Sequence, residues 1–171
     1  MTRSEFANQI ISQFEMNPEG FFKFERYSDQ IEYQGQVYTY HMSGLAKHVY
    51  LSQDKKTVLK FAEDREFDQV PFLHILCEAE AWELANEEER QYLAETHYVP
   101  ELSCIIQEFV EVIENQGKLA EVNGRELGIT ADGRVVIFDC DPICDNFDKP
   151  FNGYYYGYAK RIIQSHLDNQ K

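Results

Sequence analysis

A chain of 171 residues with 43% hydrophobic content, 12 Phe and 11 Tyr has ample material for the core of one domain, which excludes a disordered chain. Its 16 basic and 30 acidic side chains leave a net charge of −14. That balance disfavours direct binding to a nucleic-acid backbone and favours a protein partner, in particular a basic one. No run approaches transmembrane length, and the opening MTRSEFANQ lacks the apolar stretch of a signal peptide, so the expectation is a cytoplasmic protein with no membrane partner. Cys77 and Cys104 stand alone, and Cys140 and Cys144 form no C-x-x-C pair, so the four read as buried thiols before they read as a metal site.

In chain order, Ser4 to Met16 places Phe6, Ile10, Ile11 and Phe14 on one helical face, with Thr2 and Glu5 as a capping box and Asn17-Pro18-Glu19-Gly20 as its stop. Two aromatic-rich segments, Phe21 to Tyr27 and Ile31 to Tyr40, read as strands, and Gln34-Gly35 marks a turn or a bulge within the second. A glycine-containing turn follows, then a hairpin with strands over Lys47 to Leu51 and Thr57 to Ala62. In the second strand Val58, Lys60 and Ala62 share one face, while Leu59 and Phe61 take the other. A lysine among apolar neighbours reads either as an edge residue reaching water or as half of a buried pair.

The longest helix signal runs from Phe72 to Glu95, with Leu73, Leu76, Cys77, Ala81, Leu84 and Ala85 on its apolar face. Glu83 and Glu87 to Glu89 belong to a solvated face, and one of Glu78 or Glu80 is free to turn inward. A strand follows over Leu102 to Val110, and Glu111 to Arg125 is polar and short of structure. Leu127 to Thr130 and Arg134 to Asp139 form a hairpin around Ala131-Asp132-Gly133. Its second strand, rich in Val, Ile and Phe, reads as buried on both faces and delivers Asp139, with Asp141 two residues on. A carboxylate at the exit of a buried strand requires a cationic partner. Phe151 to Leu167, carrying Tyr154, Tyr155 and Tyr158, is a closing helix.

Taken together, these segments resemble the protein-kinase fold over about Met42 to Pro142. GLAKHVYLSQDKKTVLKFA resembles its glycine-rich loop and following strands, with Lys60 in the place of the V-A-I-K lysine. CEAEAWELA resembles the helix whose glutamate holds that lysine, Glu78 fitting best and Glu80 second. CIIQEFVEV resembles the strand entering the hinge, and LGITADGRVVIFDCDP the hairpin that ends in the magnesium-binding aspartate, here Asp139. The resemblance implies an α+β fold: a twisted antiparallel small-lobe sheet with one long helix, then a short C-terminal hairpin and helix. The chain reads as one domain, with residues 1–41 an N-terminal helix and strands, 42–111 the small-lobe-like region and 112–171 a reduced large-lobe remnant.

The resemblance also implies ATP and Mg²⁺ as cofactors. Gly44, Lys60, Glu78 and Asp139 would then hold nucleotide, Asp139 and Glu126 the metal, and Glu121 would act as catalytic base. Yet Gly44 is the one glycine left of the glycine-rich loop, and Glu121 and Glu126 replace the aspartate and asparagine of the catalytic loop, with no His-Arg before them. About ten residues separate the hinge-like strand from that loop, and 29 follow Pro142, which leaves the expected large lobe short. The leading expectation is therefore a non-catalytic, pseudokinase-like protein that binds another protein, through Tyr154 to Tyr158 or Glu87 to Glu89. The alternatives are a minimal Mg²⁺/ATP-dependent phosphotransferase and an acidic mimic of nucleic acid that blocks a DNA-binding protein.

Overall fold

The computed structural model describes residues 29–43, 47–62, 78–83, 85–113 and 127–139. Strands β1 (Gln30–Tyr33) and β2 (Gln36–Ser43) are joined by a two-residue turn in which Gln34 (φ 51°) and Gly35 (φ 75°) both have positive φ. That geometry matches the right-handed twist of the flanking strands, so Gln34-Gly35 is a hairpin turn. Next, β2 pairs antiparallel with β3 (Lys47–Ser52), with a register shift between Tyr40 and Met42. A polar turn then leads to β4 (Thr57–Ala62). Ser52 Oγ organises this turn by accepting from the backbone N–H groups of Lys56 (3.1 Å) and Thr57 (3.0 Å).

On its other side β4 pairs with β6 (Cys104–Glu108), which pairs in turn with β5 (Thr96–Val99). The described sheet therefore runs β1-β2-β3-β4-β6-β5, antiparallel throughout. Between β4 and β5 lie two helical pieces, α1 (residues 78–83) and α2 (Glu87–Arg90). After β6, Phe109 leads into β7 (Val110–Val112), which opens a second antiparallel sheet with β8 (Leu127–Thr130) and β9 (Val135–Ile137). The described chain is thus α+β and mostly antiparallel sheet.

The two faces of the larger sheet have different chemistry. Leu59 and Phe61 join Tyr38, Tyr50, Val99 and Cys104 in one apolar cluster, where Tyr50 and Phe61 meet edge to face at 5.6 Å. A second cluster packs Ala81 and Ala85 against Leu93, Leu127 and Ile137, joining the helical connection to the second sheet. A surface link reinforces this join: Arg134 Nη2 donates to both carboxylate oxygens of Glu108, at 3.0 and 3.1 Å.

Three sequence expectations change. The helix expected to continue to Glu95 is interrupted at Ala85-Asn86, because Asn86 caps α2: its side chain accepts from Glu89 N–H while Glu89 reaches back to Asn86 N–H. Leu93 and Ala94 are then extended alongside β9, with Ala94 N–H donating to Ile137 O at 2.8 Å, and Thr96–Val99 is strand. The Leu102 to Val110 strand begins at Cys104, after a short 3-10 turn ending at Ser103 (φ 50°). Lastly, β4 is interior to the sheet, so Lys60 is no edge residue. The Asp132-Gly133 hairpin forms as expected, but with positive φ at Gly133 alone (φ 85°), the three-residue loop type. The segments Ser4 to Met16, Phe21 to Tyr27 and Phe151 to Leu167 lie outside the described residues.

Candidate functional site: a four-residue ion-pair cluster

Antiparallel pairing sets Lys47 opposite Ala62 and Val49 opposite Lys60. Alternation along the two strands therefore puts Lys47 and Lys60 on the same face, as diagonal neighbours. Lys60 also pairs with Ile105 and Val58 with Gln107, so Gln107 joins the same face from β6. This is the face opposite the Leu59 and Phe61 cluster, and Glu78 from α1 reaches it.

Glu78 is the centre of the site, with its side chain 1% exposed. Its Oε2 accepts from Lys60 Nζ at 2.7 Å and from Gln107 Nε2 at 3.2 Å, and its Oε1 accepts from Lys47 Nζ. Lys60 spends a second proton on the main-chain oxygen of Phe138 at 2.9 Å and lies 5.4 Å from the centre of that ring. Gln107 Nε2 also donates to Thr96 Oγ1 at 2.8 Å, and Thr96 Oγ1 donates to Ala94 O at 2.9 Å. Each partner lowers the cost of burying its neighbours' polar groups.

Lys47 closes the cluster on its outer side. Its Nζ bridges Glu78 Oε1 and Asp139 Oδ1, the latter at 2.5 Å. The Lys47 side chain is 12% exposed and that of Asp139 42%, so this end opens to water while the Lys60 end does not. Burial alone favours the neutral amine, but Glu78 and then Asp139 outweigh it and hold the Lys47 ammonium above the usual lysine range. Two ammonium groups face two carboxylates, and these four charges sum to zero.

The Lys60–Glu78 pair joins as the sequence suggested, and Glu80, the second choice, is also buried. Asp139, read from the sequence as a carboxylate that requires a cationic partner, has one in Lys47 and is partly exposed, while Lys60 takes the neighbouring Phe138 carbonyl. Gly44, Glu121, Glu126 and Asp141 lie outside the described residues. Sequence reasoning missed Lys47, Gln107 and Thr96. The register of the β3–β4 hairpin was the available signal for Lys47, since it pairs the strand positions around Lys60.

The carboxylates of Glu78 and Asp139 are the described groups nearest to a Mg²⁺ site, and they do not fit one as arranged. The position between their oxygens is taken by Lys47 Nζ. Among the described residues no group of three or more His, Cys, Asp or Glu side chains is placed to hold a metal ion. Among the same residues, no helix is long and apolar enough to cross a membrane. The described residues are α+β, and their sheet face, helical connection and the segment after β9 are tied by Glu78 and the two lysines it holds. No family model, curated protein or solved structure matches the chain.

Proposed function

We propose that this chain is a non-catalytic, kinase-like domain that acts by engaging another protein. The observation carrying this reading is the seat of Lys47 Nζ between Glu78 and Asp139, where a kinase-like site would need room for a metal-bound phosphate. Lys60 faces inward, with Glu78 and the Phe138 carbonyl already engaging its ammonium. The kinase-like framework itself is supported by the order of elements: hairpin with Lys60, helix with Glu78, hinge-like β6, and a second hairpin ending at Asp139. A net charge of −14 favours a basic protein surface as the partner. The phosphotransferase alternative draws on the Lys60–Glu78 pair, which is the arrangement that holds a phosphate-binding lysine in kinases.

Thermal unfolding with ATP or ADP, with and without Mg²⁺, separates the two. A ligand at about 100 times its dissociation constant adds about 2.7 kcal/mol of stability, enough to move the midpoint by several degrees in a domain of this size. The expected result is no nucleotide shift. A Mg²⁺-dependent shift that disappears in Lys60→Ala would mean that a nucleotide site survives, and Mg²⁺-dependent ATP consumption that is lost in Asp139→Asn would then overturn the non-catalytic reading.

A further inference from the structure

We propose that Asp132-Gly133 is a latent modification site, open to spontaneous isomerisation of Asp132 to isoaspartate, and that Thr130 and Arg134 hold it shut in the folded chain. The proposal goes beyond the proposed function and stands or falls independently of it. Three observations carry it: an exposed Asp-Gly pair, a clamped carboxylate and a tied main-chain nitrogen.

The pair lies at the tip between β8 and β9, with the Asp132 side chain 63% exposed, and Gly133 has no side chain to crowd its own nitrogen. In such a pair the main-chain nitrogen of the glycine bonds to Cγ of the aspartate. The nitrogen's proton and the carboxyl hydroxyl leave together as water, and a five-membered imide remains. Water then opens the imide at either carbonyl. One opening restores aspartate, and the other leaves isoaspartate, with the main chain longer by one methylene. No group is oxidised or reduced. The closure needs a neutral carboxyl group and a Gly133 N–H free to give up its proton.

The turn denies both conditions. Asp132 Oδ1 accepts from the Thr130 hydroxyl, and Arg134 Nε donates to Oδ1 at 3.2 Å and to Oδ2 at 3.0 Å. The Thr130 bond first, and Arg134 after it, favour the ionised carboxylate and hold Asp132 below the usual carboxylate range. Gly133 N–H donates to Thr130 O at 2.9 Å, so the attacking nitrogen is tied to the same residue. Thr130 therefore restrains both reacting groups, and its own N–H is fixed by Arg134 O at 2.9 Å. Arg134 is anchored in turn by Glu108 on β6. An isoaspartate here would lengthen the three-residue loop and carry the carboxylate away from Arg134.

Isoaspartate at position 132 is measured by mass spectrometry with electron-transfer fragmentation, which separates this site from Asn123-Gly124 and Asn152-Gly153, where the same imide chemistry operates. The full chain is incubated at one pH and temperature, folded and in guanidinium chloride, as wild type, Thr130→Val, Arg134→Gln and Glu108→Gln. The folded wild type should isomerise several-fold more slowly than the unfolded chain. Thr130→Val and Arg134→Gln should each accelerate the folded chain several-fold. Glu108→Gln loosens the same hairpin from β6 but keeps both Asp132 contacts, so it should stay as slow as the wild type. A folded wild type that isomerises as fast as the unfolded chain overturns the proposal, and that comparison requires no variant to fold. Thr130→Val and Arg134→Gln chains that are folded by circular dichroism and no faster than the wild type overturn it too. So does a Glu108→Gln chain as fast as Arg134→Gln, since folding in general, and not the two clamps, would then protect the tip.

Discussion

Glu78 carries more of the cluster than any other residue, because its two oxygens serve two lysines and a glutamine at once. Removing its charge leaves Lys60, with a side chain 5% exposed, as a buried ammonium beside a carbonyl. Breaking one member of a buried ion pair costs about 3–5 kcal/mol. Glu78→Gln should therefore lower the unfolding free energy by about that much in urea denaturation, and a loss below about 1 kcal/mol would make the cluster no stronger than a surface pair. Lys60 stood out as a lysine among apolar strand neighbours, but its pairing with Glu78 was implied by the kinase resemblance, which left Glu80 as the second choice. Lys47 breaks no pattern of its own. It acquires meaning when β3 and β4 are laid side by side, since only the register gives the two lysines a common face.

Between elements, the closest constraint lies at the β7–β8 pair, where Gly128 sits opposite Val112. A Cβ built on Gly128 would lie 2.6 Å from Val110 Cγ2 and 2.7 Å from Val110 Cβ. Gly128→Ala must push the two strands apart or displace Val110, and overpacking of this kind costs about 1–3 kcal/mol. Denaturation of Gly128→Ala should show that loss, and adding Val110→Ala should recover part of it. A Gly128→Ala chain as stable as the wild type would mean the strands separate freely there. The hairpin at Asp132-Gly133 was legible because a turn is local chemistry, set by residues that accept positive φ; at Gln34-Gly35 the sequence left a turn or a bulge within one strand, and the structure makes it a turn between two. The helix was only half legible. Apolar spacing continues through Ala85 toward Leu93, but Asn86 offers a cap and β9 offers Tyr92 and Ala94 backbone partners, and those hydrogen bonds win.

Over the whole molecule, 14 excess negative charges repel one another in the compact state more than in the expanded chain. Salt weakens that repulsion, the Debye length falling from about 30 Å at 0.01 M to about 8 Å at 0.15 M. The melting temperature should rise across this range in calorimetry, and a flat or falling trend would show that the acids are already neutralised within the fold. The internal cluster should contribute little to the trend, since its charges balance and its inner members are shielded from ions.

The sequence by itself determined the Asp132-Gly133 hairpin, the Lys47–Ala62 hairpin and the two faces of β4, because turn chemistry and alternation act over a few residues; the pairing of Lys60 with a helix glutamate was implied only by the resemblance, with Glu80 as its second choice. Tertiary structure alone decided that β4 lies inside the sheet, that the helix stops at Asn86, and that Lys47 rather than Lys60 holds Asp139. Each of those outcomes depends on which distant backbone or charge comes within about 3 Å, a distance set by register and packing and carried by no local pattern.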